Sequence, residues 1–236
     1  MGCSINPISW KKNKRYPIVD AQYASPLIAV VPHNFKATLS GPPATLNAAP
    51  LTALDFATVV VDARGTTFRD RQFSHHSWKN LHQLALYDHI TAIEQLAQKY
   101  PWMDTSRVGI YGSSYGGFAT FRALFEYPDF FKVGISNAGV GSLHNMYPDY
   151  HWEAFHGAVE YVGGGALRPE ATAKPVNYQN NDATVQAENL KGKLLIMLGE
   201  VDENVFPAST LQVIDTLIDR DIDFDMVYLP NAPHRF

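Results

Sequence analysis

The sequence predicts an α/β protein, with a mostly parallel sheet covered by helices on both faces. Three observations carry that reading. Short solid apolar runs such as Ala57-Thr58-Val59-Val60-Val61 and Leu194-Leu195-Ile196-Met197-Leu198 suit strands buried on both faces. Between them lie segments whose apolar residues recur at helical spacing, so strands and helices alternate along the chain. A serine framed by glycines, Gly112-x-Ser114-x-Gly116, joins one such strand to one such helix. No internal repeat or low-complexity linker interrupts the pattern, and the 236 residues read as one domain with a sizeable core, 1–236.

In chain order, Pro7 to Tyr16 is polar and turn-rich, and Tyr16 to Tyr23 reads as a strand running out into a loop at Tyr23-Ala24-Ser25-Pro26. Phe35 to Pro50 is a loop broken by Gly41-Pro42-Pro43 and Pro50. Leu54 to Asp62 contains the next strand, which ends at Asp62-Ala63-Arg64-Gly65. Trp78 to Tyr100 places Leu81, Leu84, Ala85, Ile90, Ile93, Leu96 and Ala97 at helical spacing, and Pro101 stops it. The strand Val108 to Tyr111 and the helix Phe118 to Glu126 flank the framed serine. Lys132 to Ser136 is a further buried strand, and Asn137 to Asn181 is irregular, with Gly163-Gly164-Gly165 in its middle. Leu194 to Leu198, a helix over Ala208 to Ile218, and a strand over Phe224 to Tyr228 complete the series.

Composition excludes several classes. Charged residues are 18% and the net charge is −4, so the chain is neither disordered nor built for nucleic acid. The basic run Lys11-Lys12-Asn13-Lys14-Arg15 reads as a solvated turn. The single cysteine, Cys3, allows no internal disulfide and no cysteine metal site, and it leaves the compartment open. No apolar stretch is long enough to span a membrane. Met-Gly-Cys-Ser at the start lacks the Ser or Thr of an acylation signal, Asn6 standing in its place. His75-His76 and His82/His89 have no accompanying ligands at useful spacing, so no metal is expected.

The framed serine carries the chemistry. Gly-x-Ser-x-Gly between strand and helix is the pattern of a nucleophile elbow, which holds a serine on a sharp turn with its hydroxyl exposed. A side chain at Gly112 or Gly116 would collide with a neighbouring element. A serine hydroxyl is a weak nucleophile and needs a base oriented by a carboxylate. Of the nine histidines, His234 alone lies beyond the last two strands, in the loop Leu229-Pro230-Asn231-Ala232-Pro233-His234. The acid belongs in the loop after Leu198, where Glu200, Asp202 and Glu203 compete and spacing does not choose among them.

These residues resemble the prolyl oligopeptidase family of serine peptidases, most closely its dipeptidyl-peptidase IV branch. The resemblance covers nearly the whole chain. It rests on Gly112-Ser113-Ser114-Tyr115-Gly116-Gly117, Gly199-x-x-Asp202-x-Asn204-Val205, Asp62-x-Arg64-Gly65, and Tyr16-Pro17 followed by Tyr23-Ala24-Ser25-Pro26. It implies an α/β-hydrolase fold with a triad of Ser114, Asp202 and His234. It also implies an oxyanion hole made by the Tyr115 N–H and the Tyr23 hydroxyl. Asn204 would hold a substrate carbonyl, and Val205 with Val140 would line the pocket for the residue before the cleaved bond. Leu143, Met146 and Tyr150 stand where the branch has an aromatic cluster.

The implied activity is release of dipeptides from peptide amino termini through an acyl-enzyme, with no cofactor. A carboxylesterase or acyl-peptide hydrolase on the same triad, and a non-catalytic hydrolase-like binding domain, are the alternatives. The family's β-propeller is absent from the chain, and the chain stops soon after His234, so a fragment lacking the C-terminal helix is expected. The homodimers common in the family use helices partly beyond that point. The resemblance favours a periplasmic or secreted protein, with a cytoplasmic one still open.

Overall fold

The computed structural model describes residues 2–7, 9–23, 28–31, 50–78, 83–142 and 182–236. The predicted loop up to residue 49, the Ala24-Ser25-Pro26 turn, Leu143, Met146, Tyr150 and the Gly163-Gly164-Gly165 stretch lie outside them.

Among the described residues, seven strands form one sheet. They are β1 (Gly2–Ile5), β2 (Tyr16–Ala21), β3 (Ala57–Val61), β4 (Met103–Ser113), β5 (Phe131–Asn137), β6 (Lys193–Gly199) and β7 (Asp225–Leu229). Their spatial order is β1-β3-β2-β4-β5-β6-β7. Only β1 runs antiparallel, pairing with β3 from Gly2↔Val61 to Ile5↔Thr58. Every other pairing is parallel, as the solid apolar runs require. All five residues of β3 are buried. The edge strand β7, by contrast, leaves Met226, Val227 and Tyr228 exposed.

The principal helices are α1 (Arg71–Ser74), α2 (Gln83–Lys99), α3 (Tyr115–Glu126) and α4 (Pro207–Asp219). Two 3-10 turns, His75–Ser77 and Ala187–Asn189, are added to them. One core cluster runs through the molecule. It joins Leu86 and Ile93 of α2, Phe118, Phe121 and Phe125 of α3, and Val213 and Leu217 of α4 to strand residues such as Ile18, Val59, Ile110 and Ile196. Burial of that apolar surface is the main force holding the helices to the sheet.

Three boundaries differ from expectation. The first helix of the series is described from Gln83, while Trp78 closes the preceding 3-10 turn in extended conformation. Strand β4 starts at Met103, five residues before the apolar run at Val108, because Tyr16 and Pro17 of β2 pair with Met103 and Asp104 beyond a register shift. Helix α3 begins at Tyr115, before the expected Phe118, because all the turning is concentrated at Ser114 and the chain is helical directly after it. The strand β1 had no signal apart from its partner. Its short Gly-Cys-Ser-Ile segment is ordered by pairing along β3.

Candidate active site

The elbow is built by close approach. Ser114 has φ 60° and ψ −118°, a conformation that costs a non-glycine residue about 1–3 kcal/mol. The Ser114 N–H donates to the Asn137 carbonyl of β5 at 2.8 Å, and the Ser114 carbonyl accepts from the Phe118 N–H at 3.1 Å. The two framing glycines leave no room for a side chain. A Cβ at Gly112 would lie 2.3 Å from the Gly116 carbonyl oxygen, and one at Gly116 would lie 2.4 Å from the Gln22 carbonyl oxygen. The strand β4, the helix α3 and the end of β2 therefore meet backbone to backbone around this serine.

His234 and Asp202 meet on loops after β7 and β6. His234 Nδ1 is 2.8 Å from Asp202 Oδ2 and 3.0 Å from Oδ1, and both side chains are buried. A carboxylate only accepts, so Nδ1 donates in this contact, and in the neutral ring the lone pair lies on Nε2. Asp202 Oδ1 also accepts from the N–H groups of Asn204 and Val205, at 2.9 and 2.7 Å. The carboxylate is thus held from the backbone of its own loop as well as by the imidazole.

The two competing acids have other occupations. Glu200 Oε2 accepts from the Asn231 N–H at 2.8 Å, and Glu203 Oε2 accepts from the His234 N–H at 3.2 Å. The Glu200 and Val201 N–H groups donate to the carbonyls of Leu229 and Ala232. Gly199 permits this seam, since a Cβ there would lie 2.4 Å from the Ala232 oxygen. All three acids therefore fasten the histidine loop, but only Asp202 touches the imidazole. Spacing in the sequence carried no signal for the division of labour.

Tyr23 follows the end of β2, the strand next to β4. Burial pushes its phenol pKa up, a hydrogen bond with the Ser114 side chain opposes the rise, and the positive charge of Arg235 opposes it further. One hydroxyl is thus in contact with the serine and within the field of the residue after His234. Tyr115 packs its ring against Tyr23, with centroids 6.2 Å apart, and against Phe118 at 5.5 Å. Burial, and then the neighbouring Tyr23, raise the Tyr115 phenol well above its ordinary range. Tyr115 is the first residue of α3, so its backbone N–H lies at the start of the helix, directly after Ser114.

The three remaining expected site residues are placed differently from one another. Asn204 is exposed on the acid loop. Val205 and Val140 are buried at 3% and 2% and belong to the main core. Neither valine presents open surface.

Sequence reading passed over two buried amides beside the elbow and one buried pair. Gln22 Oε1, just past the end of β2, and Asn137 Oδ1, in β5, are buried with no partner on either side of β4. The Asn137 Nδ2 group reaches the Ser113 hydroxyl only at 3.4 Å. His89 of α2 pairs through Nδ1 with Asp20 of β2 at 2.8 Å, both fully buried, and its Nε2 has no partner. Asp20 in an otherwise apolar strand was the one available clue. Among the described residues, no group of three or more His, Cys, Asp or Glu could hold a metal ion. Among them, too, no helix is long and apolar enough to cross a membrane.

Comparison with known proteins places this geometry in context. The model of the prolyl oligopeptidase family matches residues 43–236. Human dipeptidyl peptidase 8 is 28% identical over 239 residues, which cover 99% of this chain and 24% of that protein. The venom dipeptidyl peptidase 4 of Vespula vulgaris is 27% identical over 234 residues, covering 97% of this chain and 27% of that protein. The chain thus spans about a quarter of the length of the curated relatives it matches. The crystal structure of Porphyromonas gingivalis dipeptidyl peptidase 4 superposes with a TM-score of 0.76 at 26% identity, over 99% of this chain and 30% of that one. A structure from Bacteroides ovatus superposes with a TM-score of 0.83 at 23% identity over the whole chain and 31% of its own, a likeness of fold.

Proposed function

The chain belongs to the prolyl oligopeptidase family, and we propose on that premise that residues 1–236 are one α/β-hydrolase domain of a serine peptidase that releases dipeptides from peptide amino termini. The observation that carries this reading is the buried His234–Asp202 pair at 2.8 Å, on the same end of the sheet as a serine held at φ 60°. Ser114 is the nucleophile, His234 the base, and Asp202 the group that fixes the imidazole tautomer. Serine Oγ attacks the scissile carbonyl while His234 Nε2 takes its proton. The imidazolium then returns that proton to the leaving amine, and water repeats the cycle to release the acyl group.

Negative charge on the carbonyl oxygen is met by the Tyr115 N–H and the Tyr23 hydroxyl. Donors pre-aimed at that position contribute most of the electrostatic stabilisation in such sites. The raised pKa of Tyr23 keeps its hydroxyl a donor throughout the physiological range. Asn204, exposed at the rim, holds a substrate carbonyl. Val205 and Val140 line the pocket for the residue before the cleaved bond, which requires the pocket wall to part around a side chain. The dipeptide product is proposed from the names of the relatives, which are dipeptidyl peptidases. Pairing with a second copy of the chain belongs to the same proposal.

Labelling with a fluorophosphonate probe tests the reading, with Ser114→Ala as the comparison and the adduct located by mass spectrometry. Label on Ser114 that is absent from the variant is expected, together with hydrolysis of chromogenic dipeptides carrying Pro or Ala second. Label with hydrolysis of simple esters alone would move the assignment to a carboxylesterase. A folded protein that takes no label would make the domain a non-catalytic one.

A further inference from the structure

The proposed oxyanion hole needs two donors that come from different strands. Tyr115 is carried by α3, and Tyr23 by the end of β2. Something has to fix one against the other, and the residue between strand and tyrosine is Gln22. We propose that Gln22 is a positioning residue, tying the end of β2 to the first turn of α3 so that the Tyr23 hydroxyl is held at Ser114. This rests on the reading of Ser114 as the nucleophile.

Four observations meet at this residue. Its N–H donates to the Tyr111 carbonyl at 3.1 Å, which carries the β2–β4 pairing one residue past the strand. Its own carbonyl occupies the space that a Cβ at Gly116 would need, 2.4 Å from that point. Its side-chain Nε2 lies 3.5 Å from the Gly116 carbonyl, which also accepts from Thr120 Oγ1 at 2.9 Å. Its Oε1 is buried with no partner, in a residue only 1% exposed.

The last observation decides between a role in folding and a role at the site. A buried amide with an unpaired oxygen destabilises the fold, and an apolar side chain of the same size would fold at least as well. What the amide supplies is the long tether to the Gly116 carbonyl, two residues from the nucleophile. Two residues earlier, in β2, Asp20 is clamped to His89 of α2 at 2.8 Å with both side chains fully buried. The end of β2 is therefore fastened to α2 at Asp20, to α3 at Gln22, and meets Ser114 at Tyr23.

The test is a double-mutant cycle of Gln22→Leu with Tyr23→Phe, with Gln22→Met as a second apolar variant. Four quantities are read: the thermal midpoint, kcat and KM on a proline-second dipeptide substrate, and the rate of fluorophosphonate attachment to Ser114. Gln22→Leu and Gln22→Met are expected to keep or raise the midpoint while kcat falls by about tenfold or more, with KM little changed. Added to Tyr23→Phe, either is expected to change kcat by less than about twofold, since the group it positions is gone.

The proposal is overturned if both variants keep the full kcat. It is equally overturned if midpoint and activity fall together, or if the Gln22 and Tyr23 effects multiply. Wild-type protein that never labels at Ser114 would overturn the functional reading and this proposal with it. Label on wild type and variants at one rate would overturn the positioning role alone.

Discussion

Gly116→Ala perturbs the elbow by one methyl group, and the structure sets its size. The new Cβ would lie 2.4 Å from the Gln22 carbonyl oxygen and 3.3 Å from the Tyr23 Cα, whereas real Cβ atoms essentially never come within 3.0 Å of another heavy atom. The gap between 2.4 and 3.0 Å means that about 0.6 Å of movement is the least that relieves the clash. Both sides of the contact are backbone, so no side chain can swing away. The end of β2 must move off α3 and take Tyr23 with it. Overpacking of this kind costs on the order of 1–3 kcal/mol in stability, and a misplacement approaching 1 Å in a catalytic group costs about 10²-fold in rate.

Gly192→Ala separates those two effects. Its Cβ would lie 2.5 Å from the Lys132 carbonyl oxygen, an equal backbone clash at the opposite end of the sheet, just before β6. Both variants are expected to lose stability by a similar amount in thermal or urea unfolding. Only Gly116→Ala is expected to lose about 10²-fold in kcat per folded molecule and in the rate of fluorophosphonate labelling. If Gly116→Ala kept the wild-type rate per folded molecule, or if Gly192→Ala lost as much, the argument that this contact sets the site's geometry would be wrong.

Asp202→Asn is expected to reduce kcat by about 10³–10⁴-fold, because an amide facing Nδ1 selects the wrong tautomer of His234. Its Oδ1 can still accept from Asn204 and Val205, so circular dichroism should show an unchanged fold. Glu200→Gln and Glu203→Gln, which keep an acceptor for the loop N–H groups, are expected to stay within about tenfold in the same assay. Tyr23→Phe should lower kcat by about 10²–10³-fold, with small effect on KM for a peptide substrate. Acid titration should show a contribution from Asp104, whose carboxyl is held at about 2 by its hydrogen bond to Ser106, against burial, with help from Arg107 and Arg15. A depressed carboxyl stabilises above its unfolded value and the benefit goes as pH falls from about 4 to 2, worth on the order of 1 kcal/mol after screening of the half-exposed arginines. Asp104→Asn should remove that part of the acid slope. At the alkaline side, burial lowers the His89 pKa but Asp20, Asp88 and Asp62 outweigh it and raise it. The stabilisation is complete below about pH 6.5 and is lost as pH rises through the raised value, so His89→Gln should flatten the thermal midpoint between neutral and alkaline pH.

The fold was legible because burial on both faces leaves a plain trace. Val59, Val60 and Val61 are all buried in β3, and a strand buried on both faces favours a near-continuous apolar run. The elbow was legible for a related reason, since two backbone contacts under 2.5 Å permit only glycine at positions 112 and 116. Strand β1 was not legible. Four residues with no pattern of their own become a strand only because β3 offers an edge. Nor could spacing separate Asp202 from Glu200 and Glu203, because all three carboxylates lie within hydrogen-bond reach of one loop. The resemblance to a family named Asp202, which is the carboxylate of the three that lies against the imidazole. The His89–Asp20 pair was passed over because a histidine on a helix and an aspartate on a strand, far apart in the chain, give no local signal.

The two ends of β4 show how the molecule divides stability from chemistry. At its start, Asp104 has every demand met, accepting from the Ser106 N–H and hydroxyl and from the guanidinium groups of Arg107 and Arg15. At its end, the backbone is forced to φ 60° at Ser114, and the amide oxygens of Gln22 and Asn137 lie buried and unpaired on either side of β4. The same strand thus runs from a satisfied end to an unsatisfied one. The strained Ser114 and these two unpaired amide oxygens lie side by side, although His89 Nε2 and the positive φ of residues such as Asn13 and Asp55 lie away from the site. Strain and unpaired polar groups persist only where the surrounding structure holds them in place. That surrounding structure is the pairing of β4 with β2 and β5, which is why the site requires the parallel sheet and could not be carried by the loops alone.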